Sequence, residues 1–179
     1  MVLHPEVYTK LQNEVDRVVG KDRLPSLEDR PDLTYVDCVL KETYRWNPPL
    51  PLGLPHYITE DDTYEGYHLP KDTTVLANLS ICREKDMWPG DELDVFRPER
   101  FLDLDAEEAK AMDPRQVVFG YGRRLCPGRL FADETLFLVI SNMAATLDIR
   151  KARDVGGREI TPQVSFHPAL VRQVASVSE

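Results

Sequence analysis

One cysteine, Cys126, stands where its sulfur could do chemistry. It lies in a stretch whose two glycines adopt backbone conformations that other residues avoid, Phe119-Gly120-Tyr121-Gly122-Arg123-Arg124-Leu125-Cys126-Pro127-Gly128. Apolar residues then recur at helical spacing on one face: Ala132, Leu136, Val139 or Ile140, Met143 and Leu147. The pattern predicts that Cys126 sits just before or at a helix N-terminus, where free N–H groups and the helix dipole favour a thiolate. A thiolate held in that way is a nucleophile or a metal ligand.

The residues around Cys126 bear on several kinds of site. A nucleophilic cysteine needs a base, and no histidine is near Cys126 in the sequence, although a distant one could fold close to it. A structural zinc needs several ligands, and no CxxC or paired histidine accompanies Cys126. A haem iron needs only one protein ligand, and a cysteine thiolate serves as one. The remaining interpretation is a loop that carries a buried structural cysteine.

The same stretch resembles the haem-binding signature of the cytochrome P450 family, F-G-x-G-x-R-x-C-x-G, at every fixed position. The resemblance implies that Cys126 binds the iron of haem b. It also implies that Arg124, at the fixed arginine, anchors a haem propionate, and that Phe119, Gly122 and Gly128 complete the cofactor-binding loop.

A second pattern places Glu42 and Arg45 three residues apart, on the same face of a predicted helix. Alone, the pair is typical of an ordinary surface ion pair. In the cytochrome P450 family, such a pair is buried against an arginine from a downstream P-E-R-F segment. That segment is Pro98–Phe101 in this sequence, and Arg100 is the matching residue. The resemblance therefore implies that Glu42, Arg45 and Arg100 form a structural lock for folding, with no catalytic part.

The resemblance also implies an activity and partners. Members of the family insert one atom of O₂ into a C–H bond of a small apolar substrate, with electrons from NADPH through NADPH–cytochrome P450 reductase. Arg123 and Arg129 flank Cys126 and would be docking residues for that acidic partner, or else simply solvated side chains. The expected location is intracellular, and full-length relatives typically lie at the endoplasmic reticulum membrane.

The resemblance covers the whole chain but only the C-terminal part of the family's catalytic domain. Residues 1–179 are thus predicted to form a single partial domain. The distal helix with its A/G-G-x-D/E-T motif, the upstream substrate-recognition segments and the membrane anchor are expected to be absent. We therefore expect no turnover by this chain alone. The alternatives are a non-catalytic haem-binding fragment and an inactive remnant that holds no haem.

Composition excludes other classes of protein. The net charge of −9 argues against a nucleic-acid partner. No run of residues is long and apolar enough to span a bilayer, and no signal peptide opens the chain. The three cysteines are widely separated, which indicates no disulfide framework and a reducing compartment. Cys38 and Cys82 are predicted to be small core residues.

The predicted fold class is α+β and mainly helical, the C-terminal part of the cytochrome P450 fold. The expected elements are helices at 4–19 and 34–46, a strand at 54–58, a hairpin of 64–69 with 73–78, an irregular meander at 83–116 with a short helix at 106–112, the helix after Cys126, and short strands after 149.

His56 lies in the first of these strands. In the family, a histidine or arginine near this position often contacts a haem propionate, and the alternative is a half-exposed strand residue. His68 and His167 have no constellation of chemical groups around them and are predicted to be structural.

Overall fold

The computed structural model describes residues 1–80, 92–167, 171 and 173–174. Within them, the helices are α1 (Pro5–Val18), α2 (Thr34–Trp46), α3 (Ala106–Ala111), α4 (Arg115–Val118) and α5 (Arg129–Thr146). The strands are β1 (His56–Tyr57), β2 (Asp62–Tyr64), β3 (Tyr67–Leu69), β4 (Thr74–Val75), β5 (Phe166–His167) and β6 (Gln173–Val174). Short 3₁₀ turns cover Leu27–Asp29, Pro98–Phe101 and Gly122–Arg124. The α+β prediction is confirmed in this coarse form.

The main core forms where α1, α2 and α5 pack together. Apolar residues three or four apart give α1 and α2 one buried face each, as their sequence pattern predicts. The buried side chains that these two helices contribute to the main core are Val7, Tyr8, Leu11, Val15, Tyr35, Val36, Val39, Leu40 and Tyr44. Helix α1 starts at Pro5, whose fixed φ angle suits a first helical position, and α2 ends before Pro48-Pro49.

Helix α1 also satisfies backbone groups at the ends of its two neighbours. The Tyr8 hydroxyl donates to the carbonyl of Leu147 (2.7 Å), just past the C-terminus of α5. The buried carboxylate of Glu14 accepts from the backbone N–H groups of Tyr35 (2.9 Å) and Val36 (3.0 Å) in the first turn of α2. These terminal groups have no partner within their own helix, so α1 fixes the positions of α2 and α5 as well as packing on them.

Helix α5 leaves most of the predicted apolar face exposed. The side chains of Leu136, Val139, Met143 and Leu147 are 37–49 % exposed, whereas Ile140, the predicted alternative to Val139, is partly buried against the core. The buried residues are Asp133, Phe137, Ser141 and Ala144. The helix is apolar on both sides, so its apolar periodicity alone does not show which side is covered. Two of the buried residues are polar, which hid this face from the sequence pattern.

The strand pairing also differs from the predicted hairpin of 64–69 with 73–78. Strand β2 pairs with β3 around Glu65 and Gly66, whose φ angles are 50° and 84°. Positive φ at both central residues is the geometry of a tight two-residue hairpin turn, so the predicted strand at 64–69 contains that turn. Strand β4 pairs instead with β1, in the register His56↔Val75.

The predicted helix at 106–112 is observed as α3, and Asp105 caps it by accepting from the N–H groups of Glu107 and Glu108. Residues 81–91, which include Cys82 and the start of the predicted meander at 83–116, lie outside the described residues, as do 168–170, 172 and 175–179. Among the helices that are described, none is long and apolar enough to cross a membrane.

Candidate functional site

The carboxylate of Glu42 is fully buried and accepts four hydrogen bonds. Arg45, one helical turn away, donates from Nε (2.7 Å) and from Nη2 (2.8 Å). Arg100 donates from Nε (3.0 Å), and the backbone N–H of Arg97 donates at 2.8 Å. The structure therefore brings Glu42, Arg45 and Arg100 together, and the backbone donor at Arg97 is a partner that the sequence did not indicate.

Backbone carbonyls of the described residues accept further hydrogen bonds from both arginines. Arg45 Nη1 donates to the carbonyl of Leu93 (2.9 Å), and Arg100 Nη2 donates to that of Val95 (3.1 Å). Burial lowers the pKa of Arg100, an effect that the Glu42 charge opposes and the Arg45 charge reinforces. These contacts fasten residues 92–101 onto α2.

The loop that carries Cys126 is closed by its own backbone. The N–H of Cys126 donates to the carbonyl of Phe119 (2.8 Å), so the loop returns to the end of α4. Gly120 has a φ angle of 83°, and a Cβ atom there would lie 3.1 Å from the Arg124 carbonyl oxygen. Gly122 has a φ angle of 51°. The loop therefore needs glycine at both positions, at Gly120 for conformation and space and at Gly122 for conformation.

Cys126 lies three residues before the first residue of α5, and it is exposed. Its carbonyl accepts from the N–H of Arg129 (3.2 Å), and a Cβ atom on Gly128 would lie 3.9 Å from its sulfur. The Cys126 Sγ atom is thus next to Gly128, the residue that precedes α5.

The donor set suits a metal that arrives within a cofactor. Among the described residues, no three His, Cys, Asp or Glu side chains come together as a metal site. A metal at Cys126 would then have this one sulfur as its ligand from the described chain. Haem meets that condition because the porphyrin supplies four nitrogen ligands and the protein one axial ligand. The exposed sulfur and the apolar, exposed side chain of Leu125 next to it fit such a group.

The other predicted site residues fall into two groups. Phe119, Gly122, Arg124 and Gly128 belong to the same loop as Cys126, and the Arg124 side chain is exposed in a 3₁₀ turn. His56 is exposed on β1, away from this loop in sequence, and its role as a propionate contact stays a prediction. His68 is exposed on β3.

The two described cysteines have different surroundings. Cys38 is 4 % exposed and packs with Leu93 and Phe101, as predicted for a small core residue. Burial raises the pKa of Cys38 to about 11. The Cys38 thiol is therefore protonated at neutral pH, and it is buried, whereas Cys126 is exposed.

Sequence reasoning missed an ion cluster beside the loop. The four-residue ion cluster consists of Arg30, Asp37, Arg115 and Asp133. Arg30 donates to Asp37 (2.8 Å) and Asp133 (2.6 Å), and Arg115 donates to the same two carboxylates at 3.2 and 3.4 Å. The cluster joins Arg30 and Asp37 to Arg115 and Asp133, which lie 78 residues or more further along the chain, so no local motif predicts it.

Replacement of Glu42 by alanine should lower the free energy of unfolding by about 3–5 kcal/mol, because it leaves two buried arginines without their carboxylate. We expect a loss of similar size for Arg100→Ala. Arg97→Ala is the matched control: this arginine is on the same segment, but its side chain is 44 % exposed and should change stability by no more than about 0.5 kcal/mol.

Urea unfolding followed by circular dichroism would measure these differences. Equal losses for the Arg97 and Arg100 variants would contradict the lock. A Glu42 variant that melts normally yet binds no haem would contradict a purely structural role.

Comparison with known proteins identifies the family. The family model for cytochrome P450 matches residues 1–172. Cytochrome P450 monooxygenase 136 of Postia placenta is 52 % identical over 93 % of this chain and 31 % of its own length. Cytochrome P450 monooxygenase 176 of the same fungus is 45 % identical, over 97 % and 33 %.

Cytochrome P450 monooxygenase claR of Ampulloclitocybe clavipes is 47 % identical over 96 % of this chain and 32 % of its own length. The chain therefore spans about a third of the length of the curated relatives that it matches. The predicted family is confirmed: the chain belongs to the cytochrome P450 family of haem-dependent monooxygenases.

Proposed function

We propose that this chain carries the haem-thiolate site of a cytochrome P450 monooxygenase, with Cys126 as the axial ligand of haem b. The observation that supports this best is the position of Cys126. Its sulfur is exposed beside the first turn of α5, in a loop whose closure requires Gly120 and Gly122. The family membership of the chain supports haem as the cofactor.

The neighbouring loop residues have supporting roles in this proposal. Arg124 and, on β1, His56 hold haem propionates, and both side chains are exposed and free to reach a ligand at the surface. Phe119 fixes the start of the loop, since its carbonyl accepts the Cys126 N–H and its ring meets Tyr44 edge-on at 5.3 Å. Gly122 allows the positive φ angle of the loop, and Gly128 keeps the backbone next to the sulfur free of a side chain.

When bound, thiolate-ligated haem supplies the iron centre at which O₂ is cleaved, because the thiolate pushes electron density towards the metal. Cys126 contributes that thiolate. Members of the family normally work with redox partners, and we assign NADPH–cytochrome P450 reductase as the electron donor. Arg123 and Arg129 are cationic residues on either side of Cys126, and the exposed Arg123 suits contact with an acidic partner. For the whole protein, we propose a small apolar substrate and an intracellular location at the endoplasmic reticulum membrane.

The 179 residues on their own bind haem but do not act as a competent monooxygenase in this proposal. Productive oxygen chemistry requires a site that excludes bulk water. In this chain, the sulfur of Cys126 is exposed, and so are Leu125 (40 %), Leu130 (66 %) and Phe131 (77 %) around it. The alternatives, a haem-binding segment with no part in catalysis and a remnant that holds no haem, predict different spectra and different product yields.

Cys126→Ser should abolish the strongly red-shifted Soret band that the reduced, CO-treated protein shows when a thiolate ligates haem. The hydroxyl of serine does not replace the thiolate as a ligand. Cys38→Ala is the control, since this cysteine is buried away from the loop, and its variant should keep the band. A wild-type chain without the band would show a remnant, and an unchanged band in Cys126→Ser would refute the ligand assignment.

Arg124→Ala should weaken haem affinity by about 10- to 150-fold. The variant loses one charge-assisted hydrogen bond, which contributes roughly 1.5–3 kcal/mol. Arg123→Ala is the matched control because it removes the same charge from the neighbouring exposed residue. Haem titration would measure both affinities, and equal affinities for wild type and Arg124→Ala would exclude the propionate contact.

The isolated chain, supplied with haem, a cytochrome P450 reductase and NADPH, should consume NADPH and release mainly superoxide or peroxide. At a site open to water, O₂ that has taken up electrons from NADPH leaves as superoxide or peroxide before it reacts with substrate. Hydroxylated product and NADPH consumption would be measured together over a panel of apolar substrates. Product formed in near-equal amount to the NADPH consumed would overturn the prediction of incompetence.

A further inference from the structure

We infer that the four-residue ion cluster is a positioning device for the Cys126 loop; the inference rests on the proposed role of that loop in holding haem. The cluster is not part of the signature around Cys126 or of the lock around Glu42. It joins the two helices that border the loop to each other and to α2. In the described part of the chain, no hydrogen bond or ion pair joins its members to residues 119–128, so they act through the helices that flank the loop.

The position of the cluster along the chain is the first argument. Arg115 is on α4, which ends at Val118, immediately before Phe119. Asp133 is on the second turn of α5, which begins after Gly128. Their ion pair (3.4 Å) therefore bridges the two ends of the loop. A loop whose ends are held together has fewer conformations open to it, because the closure entropy has already been lost.

The connection to α2 is the second argument. Asp37 on α2 accepts from both arginines of the cluster. These ion pairs fix the positions of α4 and α5 relative to α2, the helix that carries Glu42. Tyr44, seven residues further along α2, adds a direct contact with the loop through the ring of Phe119. The Tyr44 hydroxyl has no hydrogen-bond partner among the described residues, so its ring makes the contribution.

Further charged side chains surround the cluster and balance its charges. Asp113 holds the guanidinium of Arg115 with bonds of 2.9 and 2.6 Å, and Lys41 pairs with Asp37 at 3.2 Å. Together with the cluster, these make three carboxylates and three cations. The side chains of the four cluster members are only 12–22 % exposed, so their attraction is screened less than that of surface pairs.

Burial also supports a fixed geometry. The Arg30 guanidinium lies 5.0 Å from the centroid of the Phe137 ring, and this ring is fully buried on α5. Burial alone would raise the pKa of Asp37, yet the charge of Arg115 and the hydrogen bond from Arg30 hold it below its ordinary value. Arginine suits this place better than lysine, because its planar fork bonds several carboxylates at once.

The test uses Arg115→Gln in the 179-residue chain without haem. Hydrogen exchange of the Cys126 amide reports on loop closure, because this N–H donates to the Phe119 carbonyl. We expect this amide to exchange about tenfold faster or more in the variant, while the Val15 amide in α1 keeps its rate. Lys10→Gln is the matched control: it breaks a 2.6 Å ion pair with Glu99, remote from the loop, and should leave Cys126 exchange unchanged.

Arg115→Lys gives a second variant if Arg115→Gln does not fold. It keeps the charge but loses the fork, and we expect an intermediate exchange rate at Cys126. Unchanged Cys126 exchange in the folded variants would overturn the inference. An equal rise at Cys126 and Val15 would overturn it too, since it would show a general loss of stability.

Haem adds an independent readout. At equal total haem, Arg115→Gln should convert part of the thiolate-ligated population, seen as the red-shifted band of the reduced CO form, to another ligation state. Wild-type protein that shows no such band would refute the proposed function, and the exchange experiment would still decide on the cluster. A wild-type band that persists undiminished in Arg115→Gln would refute the positioning role alone.

Discussion

The carboxylate of Glu42 is the constraint on which the rest of the structure depends. A carboxylate buried without partners is costly by several kcal/mol, and here all of its partners come from the chain itself. Arg45 is nearby on the same helix, but Arg97 and Arg100 are more than fifty residues away. Burial of the Glu42 carboxylate therefore requires residues 92–101 to pack on α2.

Helix α2 serves as the common reference for this segment and for the Cys126 loop. Glu42 and Tyr44 are two residues apart, which places them roughly 200° apart around the helix. One face meets residues 92–101 through Glu42 and Arg45. The other face meets the loop and its flanking helices through Tyr44 and Asp37, which are seven residues apart and so share a face. Helix α2 thus fixes the position of the Glu42 lock relative to the Cys126 loop.

Local patterns predicted well what local geometry determines. The Glu42–Arg45 pair follows from helical spacing, and the need for glycine at 120 follows from the path of one short loop. Local sequence patterns did not predict contacts between residues distant in sequence, or the buried face of a helix that is apolar on both sides. The contacts of Asp37 with Arg115 and of Arg30 with Asp133 span 78 and 103 residues. The helices packed against α5 determine which of its faces is buried. The hairpin turn at Glu65-Gly66 lies within a stretch that the sequence pattern predicted as a single strand.

The comparison of Cys38 with Cys126 shows how the fold assigns chemistry to one of two thiols. Cys38 is on α2 between apolar neighbours, and burial keeps it protonated. Cys126 is exposed just before a helix, but an exposed loop is ordinarily mobile. A useful ligand must be both accessible and fixed in place. Exposure meets the first requirement. The second needs supports outside the loop, which the ion cluster and Tyr44 provide from the helices around it.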